Sequence, residues 1–119
     1  MTRPVALTIV TDHGLFGECL ASLLVNSDMF VVLGVVQTCE EALKHVEQSP
    51  PDIILIDVNL IQPTALTLTQ QISQAFPHVR ILLLGITEEI TEVQAYVEAG
   101  AGGYILKNTR FSELVAIRD

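Results

Sequence analysis

Asp12 and Asp57 each stand just past a short apolar run, and Lys107 follows a third such run, Gly103-Tyr104-Ile105-Leu106. If those runs are parallel strands of one sheet, the loops carrying the three residues converge at the rim formed by the strands' carboxyl ends, where sites in open α/β sheets lie. Two carboxylates at the mouth of an apolar sheet repel unless a cation or protons offset them. Hard dications such as Mg²⁺ take oxygen ligands in this way. Asp57 follows four apolar residues, Ile53-Ile54-Leu55-Ile56, that fix its backbone, which suits a nucleophilic carboxylate able to accept a phosphoryl group as an aspartyl-phosphate. Lys107 is placed to neutralise a phosphate oxygen. The same rim collects Thr11 and His13, Val58 and Asn59, and Gly85 to Thr87. Each residue alone has a plainer role: an Asp after a buried strand is commonly a helix cap or turn former, and a Lys after an edge strand is commonly a solvated charge. Convergence at one rim is what favours chemistry. His13, His45 and His78 lie in different segments without ligand spacing and read as surface or turn residues, with only His13 near the rim.

The elements that must position these residues follow from periodicity. Short β-branched runs alternate with amphipathic segments five times, without internal repeats. The runs are Val5 to Val10, Phe30 to Val36, Ile53 to Ile56, Val79 to Leu84 with a stop at Gly85, and Gly103 to Leu106. The third lacks alternation, as a strand covered on both faces must, and is expected at the centre of the sheet. The first helix places Phe16, Leu20, Leu23 and Leu24 on one stripe, with Cys19 beside it. Thr38-Cys39-Glu40-Glu41 forms a capping box for a helix carrying Ala42, Leu43 and Val46. A third helix has Leu68, Ile72 and Phe76 inward and stops at Pro77. A fourth runs from about Thr91 to Ala99 with Ile90, Val93 and Val97 inward and Gly100 as its cap, and a fifth begins near Phe111 with Leu114 and Val115 inward. Right-handed crossovers between parallel strands then give a doubly wound sheet with helices on both faces.

Composition narrows the function. The 119 residues suit one domain with one site. Half are hydrophobic, yet no apolar run reaches the ~18 residues of a membrane span. Met1-Thr2-Arg3-Pro4 lacks the layout of a secretory signal, so a soluble cytoplasmic protein is expected. Cys19 and Cys39 lack metal or redox spacing and read as buried or half-buried thiols. A formal net charge of −8 argues against contact with a nucleic-acid backbone by this segment.

Three stretches carry a resemblance: Ile9-Val10-Thr11-Asp12-His13-Gly14-Leu15-Phe16, Pro51-Asp52-Ile53-Ile54-Leu55-Ile56-Asp57, and Ala99-Gly100-Ala101-Gly102-Gly103-Tyr104-Ile105-Leu106-Lys107. Across essentially its whole length, residues 1–119, the chain resembles a receiver domain of two-component response regulators. The Asp-His-x-Leu-Phe and Ala-Gly-Ala-x-Gly-Tyr-x-x-Lys patterns look most like the NarL/FixJ subfamily, whose receivers precede a LuxR-type helix-turn-helix domain. The resemblance implies a flavodoxin-like five-stranded α/β fold of strand order 2-1-3-4-5. It implies phosphorylation of Asp57 by a histidine kinase, Mg²⁺ bound by Asp12, Asp57 and the backbone carbonyl of Asn59, and phosphate contact by Lys107. It also implies a shift in the face built from the fourth helix, fifth strand and fifth helix, with Tyr104 as the rotating aromatic. Pairing of two copies through that face, or through the first and fifth helices, and a DNA-binding domain downstream of Asp119 are further expectations.

Three positions depart from the family pattern. Thr11 replaces the first of two adjacent acids, which should weaken metal binding. The family's switch Ser/Thr falls on Gly85, leaving Thr87 as a substitute only if the loop refolds. The Met-Pro-x-x-(Asp/Ser)-Gly loop reads Leu60-Ile61-Gln62-Pro63-Thr64-Ala65. These departures support an alternative, a pseudo-receiver that works without phosphorylation. A small phosphohydrolase with Asp57 as nucleophile is disfavoured by Asn59, where such enzymes carry a second Asp, and by the absence of a capping insertion. A flavin module is disfavoured because no Ser/Thr/Gly-rich phosphate loop follows the first strand.

Overall fold

The computed structural model describes residues 4–58, 64–86 and 90–106. Along these the order is β1 (Val5–Val10), α1 (Gly14–Asn26), β2 (Phe30–Val36), α2 (Cys39–Gln48), β3 (Ile53–Asp57), α3 (Thr64–Ala75), β4 (Arg80–Ile86), α4 (Ile90–Ala99) and β5 (Gly103–Leu106). The strands form one parallel sheet in the order β2-β1-β3-β4-β5, with β3 at its centre. This is the flavodoxin-like arrangement. The fifth helix expected near Phe111 lies outside the described residues.

Period-two alternation splits the core in two. Ile54, Ile56, Val10 and Leu83 point to one face, where Ala42 and Val46 of α2, Leu68 and Ile72 of α3, and Tyr96 of α4 cover them. Ile53, Leu55, Leu7, Ile9 and Leu82 point to the other, against Leu20 and Leu24 of α1. All five residues of β3 are buried, which is why its sequence shows no alternation.

The sheet's amino rim is knotted by one residue. Asp52 Oδ2 accepts from the Ala6 amide at 2.9 Å, the Asp52 amide donates to the Ala6 carbonyl at 2.8 Å, and the Arg80 amide donates to the Asp52 carbonyl at 3.0 Å. One residue thereby ties together the entries to β1, β3 and β4. At the start of α2 the extended Thr38 accepts from the Glu41 amide at 3.1 Å, the expected cap. α4 ends at Gly100, whose φ of +113° favours glycine.

Several helix faces differ from the pattern reading. On α1, Leu20 and Leu24 are buried but Phe16 and Leu23 are exposed; the seam runs instead through Gly17, where a Cβ would lie 2.6 Å from Val35 Cγ1. A helix seated this closely presents only a narrow stripe to the sheet. On α4, Val97 is 53% exposed and Tyr96 is buried in its place. α3 closes at Ala75, so Phe76 follows the helix, half-buried, and β4 begins at Arg80 and runs through Gly85 rather than stopping there. His45 is half-buried rather than superficial, with its imidazole over Gly34, where a Cβ would meet Nε2 at 2.6 Å.

Two expected outcomes follow from the core. Thr8 is fully buried, and its Oγ1 has no hydrogen-bond partner among the described residues. Thr8→Val removes that unpaired hydroxyl at nearly constant shape and should raise stability by about 1 kcal/mol, read as a higher urea midpoint at unchanged slope. Cys39 is half-buried, and burial pushes its thiol pKa up, whereas Cys19 is exposed, contrary to expectation. Near neutral pH a thiol reagent should therefore modify Cys19 first. Cys39 should catch up as pH rises and its thiolate forms. Equal rates for the two thiols at neutral pH would contradict this.

Candidate functional site

The register of β1 on β3 builds the site. Val10 pairs with Ile56, so the next residue on each strand, Thr11 and Asp57, emerges side by side at the carboxyl rim. Asp57 is the last residue of β3 and only 6% exposed; it pairs with Leu84, and the next amide, Val58 N–H, donates to the Leu84 carbonyl at 3.1 Å. The Asp57 backbone is thus held by strands on both sides.

Thr11 is fully buried, and its Oγ1 donates to Asp57 Oδ2 at 2.9 Å. The same oxygen accepts from the His13 amide at 3.2 Å, and the Thr11 amide donates to the Val36 carbonyl of β2 at 2.9 Å. A hydroxyl proton directed at an ionised carboxylate is a strong, charge-assisted contact. Asp12, one residue on, turns outward: its Oδ1 lies 3.5 Å from His13 Nε2, in a surface pair with Asp12 about half exposed and His13 more so. Such a pair is worth little, so Asp12 gives up little to ligate an ion.

Gly85, the position expected to have lost a switch hydroxyl, has φ +85° and sits where the β4–β5 register slips between Leu84 and Ile86. Tyr104 of β5 pairs with Leu83 and is 47% exposed. Asn59, Thr87 and Lys107, together with the segment 60–63, lie outside the described residues. Of the two carboxylates and the amine expected to converge, the described residues therefore bring both carboxylates to the carboxyl ends of adjoining strands.

These donors suit a particular kind of ion. Among the described residues no group of three or more His, Cys, Asp or Glu side chains gathers as a metal cage. Two carboxylates on neighbouring strands, one of them solvent-facing, match an open site for a hard, partly hydrated dication.

The response regulator receiver domain family matches residues 7–118. The chain belongs to this family. Among curated proteins the receiver is 31% identical over 111 residues to the transcriptional regulatory protein DegU of Brevibacillus brevis, covering 93% of this chain and 47% of DegU. It is 29% identical over 115 residues to the response regulator GacA of Pseudomonas viridiflava, covering 96% of this chain and 54% of GacA. The receiver spans about half the length of these curated relatives. A solved LuxR-family two-component response regulator from an Aurantimonas species superposes with a TM-score of 0.87 at 26% identity, covering 96% of this chain and 81% of that one. The expected likeness to two-component receivers of the LuxR class therefore holds. Among the described residues no helix is long and apolar enough to cross a membrane.

Sequence reasoning registered Thr11 only as a missing acid and overlooked Gly17. Strand register was the signal that could have found the Thr11 contact, because equal steps beyond Val10 and Ile56 reach Thr11 and Asp57.

Proposed function

We propose that this receiver accepts a phosphoryl group on Asp57 from a histidine kinase, with Mg²⁺ held by Asp12, Asp57 and the Asn59 carbonyl and with Lys107 contacting the phosphate. The observation that carries the reading is the placement of Asp57: a backbone-pinned carboxylate at the carboxyl end of the central strand, beside the strand end that presents Asp12. In the transfer, a carboxylate oxygen forms the new O–P bond as the donor's P–N bond breaks, and the electron pair leaves on the kinase imidazole. Magnesium, when bound, offsets the negative charge shared by the carboxylates and the phosphoryl oxygens. Asp57 presents the nucleophile, Thr11 holds its carboxylate, and Lys107 meets the phosphate after β5. The group is stored rather than turned over, so the domain acts as a switch and not as an enzyme. Its output passes through the face around Tyr104, to a second copy of the receiver or to a DNA-binding domain beyond residue 119 in the cytoplasmic full-length regulator. Support for that domain comes from the half-length coverage of relatives such as the transcriptional regulatory protein DegU.

The test is incubation of the domain with acetyl phosphate and Mg²⁺. Intact mass should rise by one phosphoryl group, and peptide mapping after borohydride trapping should place it at Asp57. A label elsewhere, or none, rejects the reading.

A second reading, a receiver that works without phosphorylation, is favoured by Gly85, because the backbone there has moved to a conformation that disfavours the family's Ser/Thr. Gly85→Ser should accordingly cost about 1 to 2 kcal/mol of stability rather than repair the site, as thermal melts would show. Beryllofluoride separates the two readings. Amide signals that shift around Tyr104 favour the switch, and an unchanged spectrum favours the second reading.

A further inference from the structure

We propose that Thr11 is a positioning residue that sets the lifetime of the phosphorylated state, its hydroxyl holding Asp57 Oδ2 so that the phosphoryl group sits on Oδ1 and the carboxylate departs readily when the group is lost. The inference rests on the reading of Asp57 as acceptor.

Three contacts fix the hydroxyl. The Thr11 amide is bonded to β2 through the Val36 carbonyl at 2.9 Å. Its Oγ1 accepts from the His13 amide at 3.2 Å, which leaves the hydroxyl proton for Asp57 Oδ2 at 2.9 Å. Its methyl is seated at Gly17, where a Cβ would come within 2.9 Å of Thr11 Cγ2. A fully buried side chain held at amide, oxygen and methyl has one rotamer open to it. The acid that the family pattern places here could only repel Asp57 unless a cation stood between them. Threonine reverses that sign and donates.

The consequence appears when the phosphoryl group leaves. In the phosphorylated state Oδ2 is the carbonyl oxygen of an acyl phosphate, a neutral acceptor. On hydrolysis a water oxygen forms a bond to phosphorus, the Oδ1–P bond breaks with its electron pair passing to Oδ1, and the water proton goes to the released phosphate or to solvent. The group left behind is an anion, and the Thr11 hydroxyl, which keeps its proton throughout, binds that anion about twice as strongly as the neutral carbonyl. The departing carboxylate is therefore stabilised more than the acyl phosphate, and loss of the group is accelerated.

The domain is labelled with acetyl phosphate and Mg²⁺, the reagent is removed, and decay is followed by intact mass for wild type, Thr11→Val and Thr11→Ser, with Asp57→Asn as the unlabelled control and a thermal melt of each. Thr11→Val should lengthen the half-life of the label about tenfold, while Thr11→Ser, which keeps the donor, stays within about threefold of wild type. A purely structural role would instead lower the melting temperature of the Val variant without protecting the label. If Thr11→Val does not fold, Thr11→Ala carries the same expectation. A wild-type half-life in the variant lacking the hydroxyl overturns the inference and leaves the acceptor reading standing. No label on the wild type overturns both.

Discussion

The Asp57→Asn variant should take up no phosphoryl group from acetyl phosphate and should lose only about 1 kcal/mol of stability. The loss of function is complete because the amide has no anionic oxygen to attack phosphorus, and its nitrogen lone pair is delocalised into the carbonyl. The fold survives because the replacement is isosteric at a site only 6% exposed, and the amide oxygen can go on accepting from Thr11 Oγ1. What is lost is the charge assistance of that bond. Intact-mass and urea measurements on the same samples check both halves. Persistence of label on the variant would move the acceptor away from Asp57, and collapse of the fold would show that the carboxylate charge is structural.

Gly100→Ala should carry the largest cost to stability, about 3 kcal/mol. Two effects add. The residue ends α4 with φ +113°, a backbone geometry that an L side chain adopts only with strain of about 1 to 2 kcal/mol. A Cβ built there would also collide with the Ser73 side chain of α3, an overpacking worth about 1 to 3 kcal/mol if the helices must part. The turn it would distort is a working part of the fold, since the Gly100 amide donates to the Val97 carbonyl at 3.1 Å and the Ala101 amide to the Tyr96 carbonyl at 3.0 Å, bringing the chain round into β5. Urea denaturation tests the figure, and a loss under about 1 kcal/mol would mean that α3 and α4 separate freely.

The fold was legible because its strongest signals are local. Ile53 to Ile56 carry no polar residue, which only a doubly covered strand tolerates, and Thr38 with Glu41 spells the cap that the structure contains. The helix faces were less legible because a hydrophobic stripe says which residues can be buried and not which ones the sheet has room for. On α1 the seam is defined by Gly17, a residue with no hydrophobic side chain to show, so the hydrophobic stripe points Phe16 and Leu23 inward although they face out. On α4 the larger Tyr96 takes the inward position from Val97. Within the site, Asp12 and Asp57 were found from their place after apolar runs. The Thr11 contact was not, because it depends on the pairing of two strands 46 residues apart rather than on any neighbour in sequence. The torsion of Gly85 was hidden for a related reason, since the register slip beside it belongs to β4 and β5 together.

The Asp52 knot fastens the base of the sheet. Joined there like the ribs of a fan, β1, β3 and β4 have little freedom to slide at that end. A probe attached at Pro50 should then serve as a silent fiducial while one near Tyr104 reports the signal.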